Sequence, residues 1–152
     1  MAEGFNFDKV RQNLDIVKNI IPEKLANTTK RYFLDAFKSE SWDGVPWKEV
    51  QRRTSGSKAY KYPKKKDLGR RTRKILIGKG SGRLRRAVSI SLREANSRRI
   101  RFMVDSTTIP YASRHNYGKD GMPERKFMGD SKKLRTLQLE KIKSQIDKIW
   151  KQ

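Results

Sequence analysis

Residues 87–106 read AVSISLREANSRRIRFMVDS, and the fold class turns on them. Val88, Ile90 and Leu92 alternate with Ser89, Ser91 and Arg93, and Ile100, Phe102 and Val104 alternate with Arg99, Arg101 and Met103. A period of two puts one set of side chains on each face of an extended chain, so the pattern predicts two half-buried strands. Folding them about Asn96 sets Leu92 opposite Ile100, Ile90 opposite Phe102 and Val88 opposite Val104. That pairing makes one continuous apolar face joined by a short ANS loop.

On the N-terminal side lies a stretch of another kind. From Gln51 to Arg86 the chain carries fifteen Lys or Arg against one acid, Asp67, with little hydrophobic periodicity. This predicts an extended, solvated arm of about 25 to 30 residues, a length usually kept for function or disorder. Lys58, Lys61, Lys64, Lys65, Lys66, Arg70, Arg71, Arg73 and Lys74 interleave with Tyr60 and Tyr62, a mixture suited to phosphates or to an acidic protein surface. The GKGSG run at 78–82 lacks the spacing of a phosphate-cradling loop and reads as a turn before the sheet. Upstream, SWDGVPWKEV at 41–50 combines the breakers Gly44 and Pro46 with Trp42, Val45 and Trp47, which predicts an anchored loop.

Helices close both ends. Val10, Leu14, Val17, Ile21, Leu25, Tyr32 and Ala36 keep one helical phase, with Asn6 as the N-cap and Pro22 expected to kink the helix. After the hairpin, IPYASRHNYG predicts a short helix ending at Gly118, and GMPERKFMG is too rich in Gly and Pro for regular structure. A last helix, capped near Asp130 or Ser131, is expected to bury Leu139, Ile142, Ile146 and Ile149. The expected class is α+β: a long N-terminal helix, an extended basic loop, a small antiparallel sheet, a short helix and a C-terminal helix. One domain should span 1–152, with the basic arm at about 51–80.

Composition narrows the function. A net charge of +22 directs attention to polyanions and acidic partners, and it opposes crowding of like copies. With no cysteine, disulfides, thiolate metal sites and Cys nucleophiles are excluded. No apolar run approaches membrane-spanning length, and MAEGFNFDKV lacks the regions of a signal peptide. A soluble protein that stays in the cytoplasm of the cell making it is expected. Metal-dependent nuclease chemistry needs several His or carboxylate ligands, yet His115 is the single histidine and the acids are scattered. Ser113 lies beside His115, but neighbours so close on a helix point apart, so no catalytic triad forms. A packed or capping imidazole is expected, with no catalytic residue, no cofactor and no metal.

Four elements in order carry a resemblance. Trp42 or Trp47, then ILIGKGSGRLRRAVS (75–89), YASRHNYG (111–118) and PERKFMG (123–129), resemble the elements of the phage virion morphogenesis family, the tail completion proteins of Mu-like and other contractile tailed phages. That family places a Trp-containing loop after the first helix, then "L..TG.LR.S", a hairpin, "YA..HQ.G" and "P.R.F.G" before a last helix. The match covers about residues 42 to 150. Ser81 stands where Thr is usual, Asn116 where Gln is usual and Lys126 where a second Pro is common.

The resemblance implies a structural virion protein, made late in infection, that completes the tail or joins it to the head at the neck. It implies a homo-oligomeric ring, with a hexamer the expected order, neighbouring neck, connector and tail proteins as partners, possible contact with packaged DNA, and no membrane. Gly82 and Leu84 would set the turn and core entry to the first strand. Tyr111, His115 and Gly118 would fix the short helix and its exit, while Pro123, Arg125 and Phe127 would direct the last helix. Copies this basic repel one another unless their arms meet carboxylates or DNA phosphates, so assembly should be salt-sensitive. The alternative is a non-enzymatic basic nucleic-acid-binding module of ribosomal or chromatin type.

Overall fold

A computed structural model describes residues 6–62, 68–77 and 82–151. Its elements run α1 (Phe7–Ser39), β1 (Ser41–Trp42), β2 (Val45–Pro46), α2 (Lys58–Lys61), a 3-10 turn (Leu68–Arg70), α3 (Arg83–Ser89), β3 (Leu92–Ala95), β4 (Ile100–Phe102), α4 (Ala112–Tyr117) and α5 (Lys132–Trp150). Helices with two small antiparallel sheets make the protein α+β, as the sequence leads one to expect. The chain divides into two compact units. The first comprises Met1–Arg31, Leu92–Phe102 and Asp130–Gln152; the second comprises Tyr32–Ser91 and Met103–Gly129.

In the first unit, local chemistry sets the helix ends. Asn6 Oδ1 accepts from Lys9 N at 3.0 Å at the start of α1, and Ser131 Oγ accepts from Leu134 N at 3.0 Å at the start of α5. Pro22 sits inside α1 without dividing it. The two helices are joined by polar rungs: Gln138 donates to Thr29 Oγ1 at 2.9 Å, Lys24 donates to Gln145 Oε1, and Asn13 donates to Ile149 O at 3.4 Å. As the number rises on α1 it falls toward the start of α5, so the helices run antiparallel.

These rungs overturn the expected face of α5. Leu134 and Gln145 are buried and Gln138 is half-buried, whereas Leu139 is 66% exposed and Ile146 40%. Ile142 and Ile149, two of the four residues expected inside, are only half-buried. The pairing through Gln138 and Gln145 turns the helix so that its most regular apolar row is not its packed one. Leu14 on α1 is likewise exposed.

The hairpin forms in a different register. Leu92 pairs with Phe102, Glu94 with Arg101 and Ala95 with Ile100, with an irregularity between Leu92 and Glu94. The reason is the turn. Asn96 Oδ1 accepts from Arg98 N and Arg99 N, both at 2.9 Å, and Asn96 N donates to Arg99 O, so Asn96 opens the loop instead of sitting at its centre. Val88 and Ile90 are therefore not strand residues.

Val88 belongs instead to α3 in the second unit. Leu84 and Val88 lie one helical turn apart and both are fully buried, while Ile90 is 72% exposed. Arg, Leu and Ala favour a helix here, and the i, i+4 pair outweighs the period-two pattern. Gly82, at φ 50°, precedes this helix; it and Leu84 thus lead into α3 and not into the first strand.

The core of the second unit is aromatic. Phe37 meets Trp47 edge-on at 5.8 Å and Phe127 at 5.3 Å, while Trp42 stacks on Phe33 at 6.1 Å. Phe33, Phe37, Trp47 and Phe127, the buried ones, each contribute roughly 1.5–3 kcal/mol by burial. Asp43 and Gly44, at φ 53° and 85°, make the two-residue turn between β1 and β2, a conformation that glycine takes without strain. Trp47 is the anchor expected of this loop, its indole Nε1 donating to Lys126 O at 2.8 Å, whereas Val45 is exposed.

A candidate anion-binding pocket

The pocket belongs to the second unit and begins with a clamp. Glu40, just past α1 with φ 53°, accepts from Arg53 Nη1 at 2.7 Å, Arg53 Nη2 at 2.9 Å and Ile75 N at 2.5 Å. Arg53 also donates to Arg73 O at 2.7 Å, and Lys74 Nζ donates to Lys38 O at 3.0 Å. The Arg53 guanidinium lowers the Glu40 pKa, with burial working against it, and Glu40 in turn raises that of Arg53. The clamp holds the basic segment so that Ile75 is buried.

Arg52 completes the floor. Its Nε donates to Arg70 O at 2.8 Å and its Nη2 to Arg73 O at 2.9 Å and Lys74 O at 3.3 Å. Burial, followed by repulsion from Arg53, Arg73 and Arg70, lowers its pKa, but a guanidinium stays charged in any case. Leu76 follows Ile75 at φ 59°, a left-handed backbone that costs a bulky residue of order 1–3 kcal/mol and occurs where surrounding structure over-determines it.

The opposite wall comes from the YASRHNYG and PERKFMG stretches, which fold as one piece. Asn116 Oδ1 accepts from Phe127 N at 2.9 Å and Met128 N at 3.0 Å, while its Nδ2 donates to Met128 O at 3.0 Å. Arg125 N donates to His115 O at 2.7 Å. Gly118 ends α4 at φ 63°, where a Cβ would come within 3.1 Å of Glu124. Arg125 is 6% exposed, and its Nε and Nη2 both donate to Lys48 O, at 3.2 and 3.0 Å.

Between these walls lies a cavity of about 450 Å³. Arg52, Arg70, Arg73 and Arg125 line it together with His115. Its apolar lining includes Ile75, Leu76, Ile77, Met122 and the Tyr111 ring. The His115 ring meets Tyr111 edge-on at 6.0 Å, and burial followed by the Arg125 charge lowers its pKa. Its Nδ1 is sealed from solvent and has no hydrogen-bond partner among the described residues.

The structure thus brings five of the residues singled out in the sequence, Arg70, Arg73, Tyr111, His115 and Arg125, to one cavity. Lys58 and Lys61 stand apart on the exposed α2, and Lys64, Lys65 and Lys66 lie outside the described residues, as do 78–81 of the GKGSG run. Arg71 sits 4.1 Å over the Tyr60 ring and donates to Tyr60 O at 2.5 Å. Trp42, Trp47 and Phe127 serve packing, and Pro123 is half-buried. Sequence reasoning missed Glu40, Arg52 and Arg53 as the fasteners; the Arg-Arg pair directly after the tryptophan loop was the available sign.

Among the described residues no cluster of three or more His, Asp or Glu is placed to hold a metal ion, and no helix is long and apolar enough to cross a membrane. Compared with protein-family models, curated proteins and solved structures, the chain gives no match.

Proposed function

We propose that this chain is a non-enzymatic structural protein of a contractile-tailed phage particle, completing the tail or joining it to the head at the neck as part of a ring of copies. The observation that supports the reading most directly is the Asn116 knot. Two elements carrying the resemblance, YASRHNYG and PERKFMG, are bonded to each other through one carboxamide, in a role that is architectural. With a charge of +22, ring formation needs anionic company from neighbouring proteins or packaged DNA. Electron microscopy of purified protein and of particles lacking the gene tests this. Rings, together with heads and tails that fail to join, are expected. Mature, infectious particles without this chain would refute the reading.

The arginine-lined cavity favours a second reading, a basic nucleic-acid-binding module of ribosomal or chromatin type. Lys58→Glu with Lys61→Glu, on the exposed α2, separates the two. A module loses duplex affinity while the protein stays monomeric throughout; a ring component assembles, and raising salt disperses it.

A further inference from the structure

We infer that the cavity of the second unit is a binding site for a nucleoside monophosphate group, either free nucleotide or the 5′-phosphorylated end of a strand. The inference stands whichever of the readings above holds, because it rests on the cavity alone.

The first ground is uncompensated charge. Arg125 is 6% exposed, and among the described residues neither it nor Arg52 forms an ion pair. Glu49 is near enough to act on Arg125 electrostatically, but its own ion pair is with Arg53, at 3.6 Å. Glu40 acts in the same way on Arg52, but its ion pair too is with Arg53. Burying a cation without a counter-charge is costly, and an anionic ligand removes that cost.

The second ground is preorganisation. Carbonyl oxygens hold Arg52 and Arg125 through Nε and Nη2, leaving Nη1 of each without a partner among the described residues. Two fixed guanidinium groups with donors to spare, and Arg70 and Arg73 on the same cavity, match the several oxygens and double charge of a phosphomonoester better than a single carboxylate.

The third ground is size and lining. About 450 Å³ is within the range of small-ligand sites and far more than a phosphate fills. Ile75, Leu76, Met122 and the Tyr111 ring offer the remaining volume to a flat, weakly polar group, which a nucleobase supplies.

The test is calorimetry on the full chain at about 0.15 M salt, where diffuse attraction is screened. Adenosine 5′-monophosphate is expected to bind saturably with one site per chain, and adenosine, inorganic phosphate and succinate at least about tenfold more weakly. Arg125→Lys, which loses the fork, and Met122→Trp, which fills the cavity from its rim, should each weaken binding about tenfold or more. Arg85→Gln and Lys143→Gln, both exposed and outside the cavity, should not. His115 is the single histidine, so its ring resonances also report: an anion beside Arg125, with Arg52, Arg70 and Arg73 lining the same space and Glu40 and Glu49 held by Arg53, should raise the imidazole pKa toward its ordinary value. An oligonucleotide with and without its 5′-phosphate assigns the source: tighter binding of the phosphorylated strand than of the mononucleotide points to a strand end, and the reverse to free nucleotide. Binding untouched by Met122→Trp, lost equally in the two controls, or matched by phosphate or succinate would overturn the inference. Should Arg125→Lys fail to fold, Met122→Trp still decides.

Discussion

Arg53 lays both terminal nitrogens on the Glu40 carboxylate, at 2.7 and 2.9 Å, across thirteen residues of chain. The same carboxylate accepts the backbone N–H of Ile75, so one acid ties the end of α1 to two points of the basic segment. Both side chains of the pair are mostly buried.

Glu40→Gln should therefore destabilise the protein by about 2 kcal/mol, because Arg53 is left with a neutral partner in a poorly solvated place. Urea unfolding at neutral pH measures it, and a double-mutant cycle with Arg53→Met isolates the pair. The pH dependence has a definite sign. The Glu40 pKa is lower when folded than the ordinary 4.5, so its contribution is present above that value and fades as pH falls through the lower, folded one. Glu40→Gln should flatten the acid limb of the stability curve; an unchanged limb would refute the assignment.

His115 acts in the same direction at milder pH. Burial and the Arg125 charge lower its pKa from the ordinary 6.5, so below that value the unfolded chain binds more protons than the folded one. Stability should rise with pH through the window below 6.5 and level off above it. His115→Gln should remove that slope in denaturant midpoints recorded from pH 5 to 8, roughly the range in which imidazole titrates.

Asn116→Ala should cost about 2–4 kcal/mol, since it orphans the backbone N–H groups of Phe127 and Met128 and the Met128 carbonyl together. Gly118→Ala should cost about 1–2 kcal/mol or more, from the left-handed backbone and the close approach to Glu124. Equal midpoints for either variant and the parent protein would show that the knot does not hold this unit together.

The packed face of α5 has a simple check. Leu134→Ala should cost about 2–5 kcal/mol, whereas Leu139→Ala should stay within about 0.5 kcal/mol. The reverse order would restore the face suggested by the apolar row Leu139, Ile142, Ile146 and Ile149.

What the sequence determined by itself was local. The helix starts at Asn6 and Ser131 and the helix end at Gly118 were legible because a cap is a bond between neighbours a few residues apart. The α+β class followed from periodicities of similar range. Only the tertiary structure decided that Val88 joins Leu84 in the core and that Gln138 and Gln145 turn α5. It also decided that Arg52, Arg70, Arg73 and Arg125 share one cavity. Each of those outcomes depends on which distant groups arrive to satisfy a buried donor or fill a face, and one segment's pattern holds no record of its partner.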